Sequence, residues 1–213
     1  MRDGVRRETP APTGNIKVTR QDWLDAAIDV LVSHGVEHVK VLVLSERLGV
    51  SRSSFYWYFK SRGELLDRLL SHWQETNTQA IVTAAARPAS TITAAVCHLF
   101  GCFIDERQFN ARLELGMRDW SRRATKVRRR AEAADHMRLT AIREMFRQHG
   151  YRAEDAEVRS RILYYMQIGY FALAPKEPLE ARLALVPAYL EGFTGRRPKP
   201  GEVDQLMDFA RRL

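Results

Sequence analysis

The sequence predicts an all-α protein, and three observations carry that expectation. Apolar residues recur at three- and four-residue spacing through most of the 213 residues. Capping residues and glycines stand where those stripes begin and end. No segment alternates apolar and polar residues as a half-buried strand does, and no internal repeat is present.

Composition narrows the class. With 45% hydrophobic and 28% charged residues, the chain has the balance of an ordinary globular protein. Its length suits one sizeable domain, or a small domain fused to a larger one. No uninterrupted apolar run reaches about 18 residues, so no membrane-spanning helix is expected. The basic start, Met1-Arg2-Asp3-Gly4-Val5-Arg6-Arg7, has no apolar run behind it. No secretory leader is expected from it, and a cytoplasmic location is.

The formal charge of +8 is compatible with a polyanionic partner but does not identify one. Residues 1–62 hold ten Lys and Arg against seven Asp and Glu. A denser run, Arg118 to Arg130, holds seven basic residues against Asp119 alone; it reads as a solvated helix face and loop. Cys97 and Cys102 stand five apart, a spacing that does not share one helix face. They read as two buried apolar thiols. Neither zinc-ligand spacing nor a cofactor motif accompanies them, so no metal and no cofactor is expected.

The elements follow in order. Residues 1–18, with Gly4, Pro10, Pro12 and Gly14 and no period, read as a flexible arm. Thr19 with Asp22 makes a capping-box start, and Leu24, Ala27, Ile28, Leu31 and Val32 form one stripe that Gly35 ends. Val39 to Leu44 reads as a strand on β-branched content, while Leu44 and Leu48 continue a helix; the pattern alone leaves both open. Ser51 is placed to cap a short helix running through Phe59. Ser61 with Glu64 opens another, carrying Leu65, Leu66, Leu69, Leu70 and Trp73. Beyond Pro88 the expected helices span about 90–108, 110–120, 124–149, 153–174, 178–194 (interrupted by Pro187) and 201–212.

Leu44 to Phe59 meets the demands of a helix-turn-helix. A small residue, Ser45, stands where two steeply crossed helices approach, and Gly49 supplies the positive φ of the turn. Leu44, Leu48, Val50, Phe55 and Phe59 provide the facing apolar sides. Arg52, Ser53 and Ser54 occupy the first turn of the second helix, where short polar side chains reach base edges. Tyr56 and Tyr58 suit phosphate oxygens; Trp57 fits packing and contact equally.

These residues carry a family resemblance. Residues 19–73 resemble the DNA-binding domain of the TetR/AcrR family. That family has a Gly-Val-Ser turn, a Leu-Tyr-x-His/Tyr-Phe run and a Ser-Lys-x-x-Leu helix start. Here they stand as Gly49-Val50-Ser51, Phe55-Tyr56-Trp57-Tyr58-Phe59 and Ser61-Arg62-Gly63-Glu64-Leu65. Lys40 replaces the usual capping Thr, Ser45 replaces Ala, Arg62 replaces Lys, and Gly63 loosens the helix start. The resemblance implies phosphate contacts from Tyr56, Tyr58 and Arg62, and base contacts from Arg52, Ser53 and Ser54. Lys40 and Trp57 complete the expected DNA-binding set.

The resemblance also implies a larger C-terminal helical domain for effector binding and dimerisation. The resulting division is an arm over 1–18, a helix-turn-helix domain over 19–68 and an effector and dimerisation domain over 69–213. Independently, Ile162 to Ala174 is apolar nearly all round, as a helix buried on every side is. Core on one face and a partner subunit on the other fits that pattern, with residues 178–194 completing a four-helix bundle. Effector contacts are expected from His98, Phe103, Met117, Trp120, Tyr164 and Gln167, with Phe100 and Met166 also plausible linings.

The implied activity is sequence-specific transcriptional regulation, as a homodimer on a double-stranded palindromic operator, released by a small molecule. Two rivals are weaker. An enzyme is not expected, because no nucleophile elbow, phosphate loop, dinucleotide fingerprint or zinc-protease motif occurs. An architectural DNA-binding protein has no use for some 140 further residues, and a cavity among them distinguishes the regulator.

Overall fold

The computed structural model describes residues 18–213. The arm expected over 1–18 lies outside them save for Val18, which is buried. No strand occurs among the described residues.

Helix α1 spans Arg20–His34, begun by the expected capping box: Thr19 Oγ1 accepts from the Asp22 amide, and the Asp22 carboxylate accepts from the Thr19 amide. A single 3₁₀ turn, Val36–His38, leads to α2, Val41–Leu48. The ambiguous Val39–Leu44 stretch is therefore mostly helical. Burial of Leu44 and Ser45 among the neighbouring helices outweighs the β-branched preference of the valines. Gly49 then takes φ 67°, ψ 30°, the left-handed conformation the turn requires.

Helix α3 covers only Arg52–Phe55, shorter than the expected run to Phe59. Tyr56, Trp57 and Tyr58 continue as a tight turn, their amides donating to the carbonyls of Ser53, Ser54 and Phe55. Ser51 does not cap α3 with its side chain; its hydroxyl pairs with that of Ser53 at 2.8 Å. Helix α4, Arg62–Trp73, is capped by Ser61 as expected. It continues through a π-helical segment, Gln74–Thr78, into α5, Gln79–Ala86. The remaining helices are α6 (Ile92–Ile104), α7 (Ala111–Arg123), α8 (Thr125–Gln148), α9 (Ala153–Leu173), α10 (Leu179–Thr194, containing Pro187) and α11 (Asp204–Arg211).

Two apolar cores result. One holds Trp23, Leu24, Leu44, Phe55, Phe59, Leu65, Leu69 and Trp73, and it is completed by Leu113, Met117, Trp120 and Val127 from α7 and α8. The other gathers α5, α6, α8, α9 and α10. The helix-turn-helix unit is thus not closed on itself; α7 and the start of α8 finish its core. Gly116 shows how closely: a Cβ there stands 3.4 Å from Leu31 Cγ of α1. The boundary expected between residues 68 and 69 falls inside α4, whose end still packs in the first core.

A buried polar cluster sits where α4 turns π-helical. Glu114 of α7 is fully buried and accepts from both Arg138 nitrogens Nη1 and Nη2 at 2.7 and 3.0 Å. It also accepts from Trp73 Nε1 at 2.7 Å and Asn77 Nδ2 at 3.2 Å. Arg138, equally buried, reaches Thr78 Oγ1 and the Tyr164 hydroxyl. Arg118 joins through Glu114, Asp135 and Tyr164. Every carboxylate therefore faces a cation, the condition under which charges can be buried. Arg118, expected on a solvated face, is instead largely withdrawn from water.

Candidate nucleic-acid interface

The helix-turn-helix is assembled from small local causes. Ser45 is 2% exposed, and its hydroxyl donates to the Leu42 carbonyl at 2.8 Å. A polar side chain satisfied by its own helix leaves room for α3 to approach. Phe55 is fully buried, edge-on to Trp23 with ring centroids 5.2 Å apart and stacked on Phe59 at 5.4 Å. These rings hold a helix too short to persist alone.

What remains outside is a continuous edge. Arg52 and Ser53 are exposed; Tyr56 is 61% and Trp57 86% exposed. Aromatic surface so open on a core-forming segment suits a contact. Ser54 turns the other way: its hydroxyl is buried and has no partner among the described residues. Tyr58 is half-buried and its hydroxyl donates to the Val18 carbonyl. Arg62 donates Nε to the Val39 carbonyl at 2.5 Å and Nη2 to the Val36 carbonyl at 2.7 Å. Its Nη1 makes no hydrogen bond among the described residues. The arginine thus ties the start of α4 to the chain just before α2, next to Lys40 in sequence. Lys40 is the exposed N-cap residue of α2, and its side chain makes no cap bond.

The residues singled out for an effector fall in four places. Phe103 and Gln167, with Phe100 and Met166, line a cleft of about 450 Å³ between α6, α9, α10 and α11. Gln167 is 8% exposed and makes no side-chain hydrogen bond among the described residues. His98 lines a different groove between α5, α6 and α11, beside Cys97 and Cys102. Burial, aided by the charge of Arg87, holds its imidazole below the usual histidine range. Met117 and Trp120 pack in the core shared with α1, and Tyr164 belongs to the ion cluster. Both cysteines are buried thiols. Burial, with Glu202 nearby, pushes Cys97 up to about 11; burial and Asp105 together take Cys102 to about 12.

The spatial signal that sequence reading missed is the Glu114–Arg138 cluster. On α7 and α8 both residues look like ordinary solvated charges. Only the apolar neighbours Leu113, Met117, Ile142 and Met145 hint that these faces turn inward.

Taken together, these features define an all-helical protein in which an N-terminal helix-turn-helix leads into a larger helical body. Residues 24–69 match the model of the tetR family of bacterial regulatory proteins, so over that segment the chain is similar to the DNA-binding domain of those proteins. It is 36% identical over 58 residues to the HTH-type transcriptional regulator TtgW of Pseudomonas putida, covering 27% of this chain and 43% of that one. It is 38% identical over 53 residues to the class C tetracycline repressor protein of Escherichia coli, covering 25% of this chain and 24% of the repressor. The chain thus spans less than half the length of either relative.

Solved structures extend the likeness to the whole architecture. The ketosteroid transcriptional regulator KstR2 of Mycobacterium tuberculosis superposes with a TM-score of 0.61 at 17% identity, covering 87% of this chain and 98% of that one. The fatty acid degradation regulator FadR of Bacillus halodurans gives 0.61 at 18% identity, covering 90% and 100%. At these identities the likeness is one of fold. No helix among the described residues is long and apolar enough to cross a membrane.

Proposed function

We propose that the protein is a cytoplasmic transcriptional repressor that binds an inverted-repeat operator as a homodimer and leaves it when a small molecule binds. The observation that carries this reading is the exposed edge Arg52, Ser53, Tyr56 and Trp57 on a rigid helix-turn-helix core. Arg52 and Ser53 lie on the first turn of α3, where base edges are reachable. Tyr56, Trp57, Lys40 and the Nη1 of Arg62 serve the phosphates. Tyr58 acts from within, holding the segment in place through the Val18 carbonyl, while Ser54 faces inward beside it.

Residues 19–68 make the DNA-reading unit in this scheme and residues 69–213 the regulatory one. Two features support a dimer. Helix α9 exposes Val158, Ile162, Tyr165 and Leu173, and α10 exposes Leu185 and Tyr189. Such a surface on neighbouring helices asks for a partner. A Cβ at Gly169 meets nothing within 4 Å, leaving space for a second helix. The cleft holding Phe103 and Gln167 supports the effector, since an architectural DNA-binding protein needs no such opening. Met117, Trp120 and Tyr164 then transmit rather than touch the ligand, and His98 lies in a groove apart from it. A coupling of about 1–3 kcal/mol suffices for release.

Light scattering at micromolar concentration tests the assembly. The wild type is expected to run as a dimer, and Ile162→Asp with Tyr165→Asp as a folded monomer that no longer protects an inverted repeat. A monomeric wild type bound to a site without two-fold symmetry contradicts the proposal.

A further inference from the structure

The elbow joining α7 to α8 carries a dense run of positive charge. Between Trp120 and Ala131 lie Arg122, Arg123, Lys126, Arg128, Arg129 and Arg130, with no Asp or Glu among them. All six are exposed. Arg122 and Arg129 make no ion pair among the described residues. The carboxylates facing Arg123 and Arg128, on Asp119 and Glu132, stand off at 3.9 and 4.0 Å. Helix surfaces ordinarily interleave opposite charges at this spacing. Here the like charges repel one another, and among the described residues only Lys126 finds a close carboxylate elsewhere.

The place of the elbow is as telling as its charge. Val127, Ala131 and Ala134 are buried in the core of the helix-turn-helix unit. Lys126 pairs with Asp67 of α4, and Arg130 donates to Gln74 Oε1 at 3.1 Å. The elbow is therefore braced against α4. Asp67 stands five residues beyond Arg62, about 7.5 Å along the helix axis, and Arg62 begins α4 immediately after the recognition turn. The reading unit itself is only weakly basic, with ten cations against seven acids over residues 1–62. Much of the chain's capacity to hold a polyanion thus lies on the elbow rather than in the motif.

We propose that the α7–α8 elbow is a second DNA contact, which grips the sugar-phosphate backbone beside the base pairs that the recognition turn reads. Guanidinium groups suit phosphate oxygens, and contacts to the backbone add affinity without reading sequence. Arg122 and Arg129, exposed and without an ion pair among the described residues, are the principal anchors; Lys126 and Arg130 brace the elbow on α4. This rests on the reading that the protein binds DNA.

The test compares two doubly neutralised full-length proteins on random-sequence duplex DNA, about four helical turns long, over a range of potassium chloride concentrations. One is Arg122→Gln with Arg129→Gln. The other is Arg147→Gln with Arg152→Gln, equal in charge but centred at the far end of α8, about 27 Å from Arg129. Each lost phosphate contact should flatten the slope of log K against log salt by about 0.9. The elbow variant is expected to flatten by at least one such step, and the far-end variant to keep the wild-type slope. Equal slopes in all three proteins, or equal flattening in both variants, overturn the elbow proposal while leaving DNA binding intact. A wild type with no salt-dependent binding overturns the DNA-binding reading itself, and the elbow with it.

Discussion

Replacing Glu114 with alanine is expected to cost about 3–5 kcal/mol of stability, the range for removing one partner of a buried ion pair. The change strips the fully buried guanidinium of Arg138 of its carboxylate and leaves Trp73 Nε1 and Asn77 Nδ2 with fewer acceptors. Arg118 keeps Asp135, so most of the penalty falls on Arg138. Urea unfolding followed by circular dichroism reads the loss. Glu114→Leu combined with Arg138→Met should cost less than the two single changes added together, because no uncompensated charge then stays buried. A single-variant loss below about 1 kcal/mol would show that the cluster is solvated.

The same carboxyl gives a pH dependence with a definite sign. Burial alone raises its pKa, but Arg138, Arg118 and the Trp73 hydrogen bond together hold it below the ordinary glutamate range. Its contribution is therefore present above the unfolded-state value of about 4.3. It is lost as the pH falls from there through the lower folded-state value. At neutral pH the contribution is complete.

Phe55→Ala should be comparably severe, costing about 3–5 kcal/mol as large aromatic truncations in a close-packed core do. The ring is fully buried between Trp23 and Phe59, and nothing local replaces it. Helix α3 has one turn, and Ser51 spends its hydroxyl on Ser53 rather than on a cap. The recognition turn thus owes its shape to tertiary packing. DNA binding is expected to disappear at temperatures where the helices of the second core remain folded. Thermal unfolding paired with a duplex-binding assay checks both halves. Unchanged operator affinity in this variant would mean that the edge is held by something other than this ring.

How much of this was legible in the sequence depends on the range of the interactions. The turn at Gly49 and the caps at Thr19 and Ser61 act within four residues, and each forms as expected. The Val39–Leu44 stretch was ambiguous because its preference is set against packing partners on α1, which no local pattern displays. Phe59 belongs to the same core as Phe55 although α3 ends before it; spacing announces burial but not the last hydrogen bond of a helix. Met117 and Trp120, expected among the effector contacts, sit on an apolar stripe of α7; periodicity cannot say toward what such a stripe turns, and they face α1. Glu114, Asn77, Thr78, Arg138 and Tyr164 meet across 24 to 60 residues, and a charge on a helix gives no sign of a partner so distant. Arg118 was obscured for the same reason, lying in a run whose other members are solvated.

If the Arg52–Trp57 edge reads an operator, binding-site selection from a random duplex pool reveals the sequence it prefers. The wild type is expected to enrich one inverted repeat. Arg52→Ala and Ser53→Ala should shift the preferred bases, at about 1–3 kcal/mol for each well-made contact. Tyr56→Phe should enrich the parental sequence with lower affinity, because a phosphate contact carries no sequence information. A pool that converges on no sequence, or Arg52 and Ser53 variants that recover the parental repeat, would mean that this edge does not read the bases.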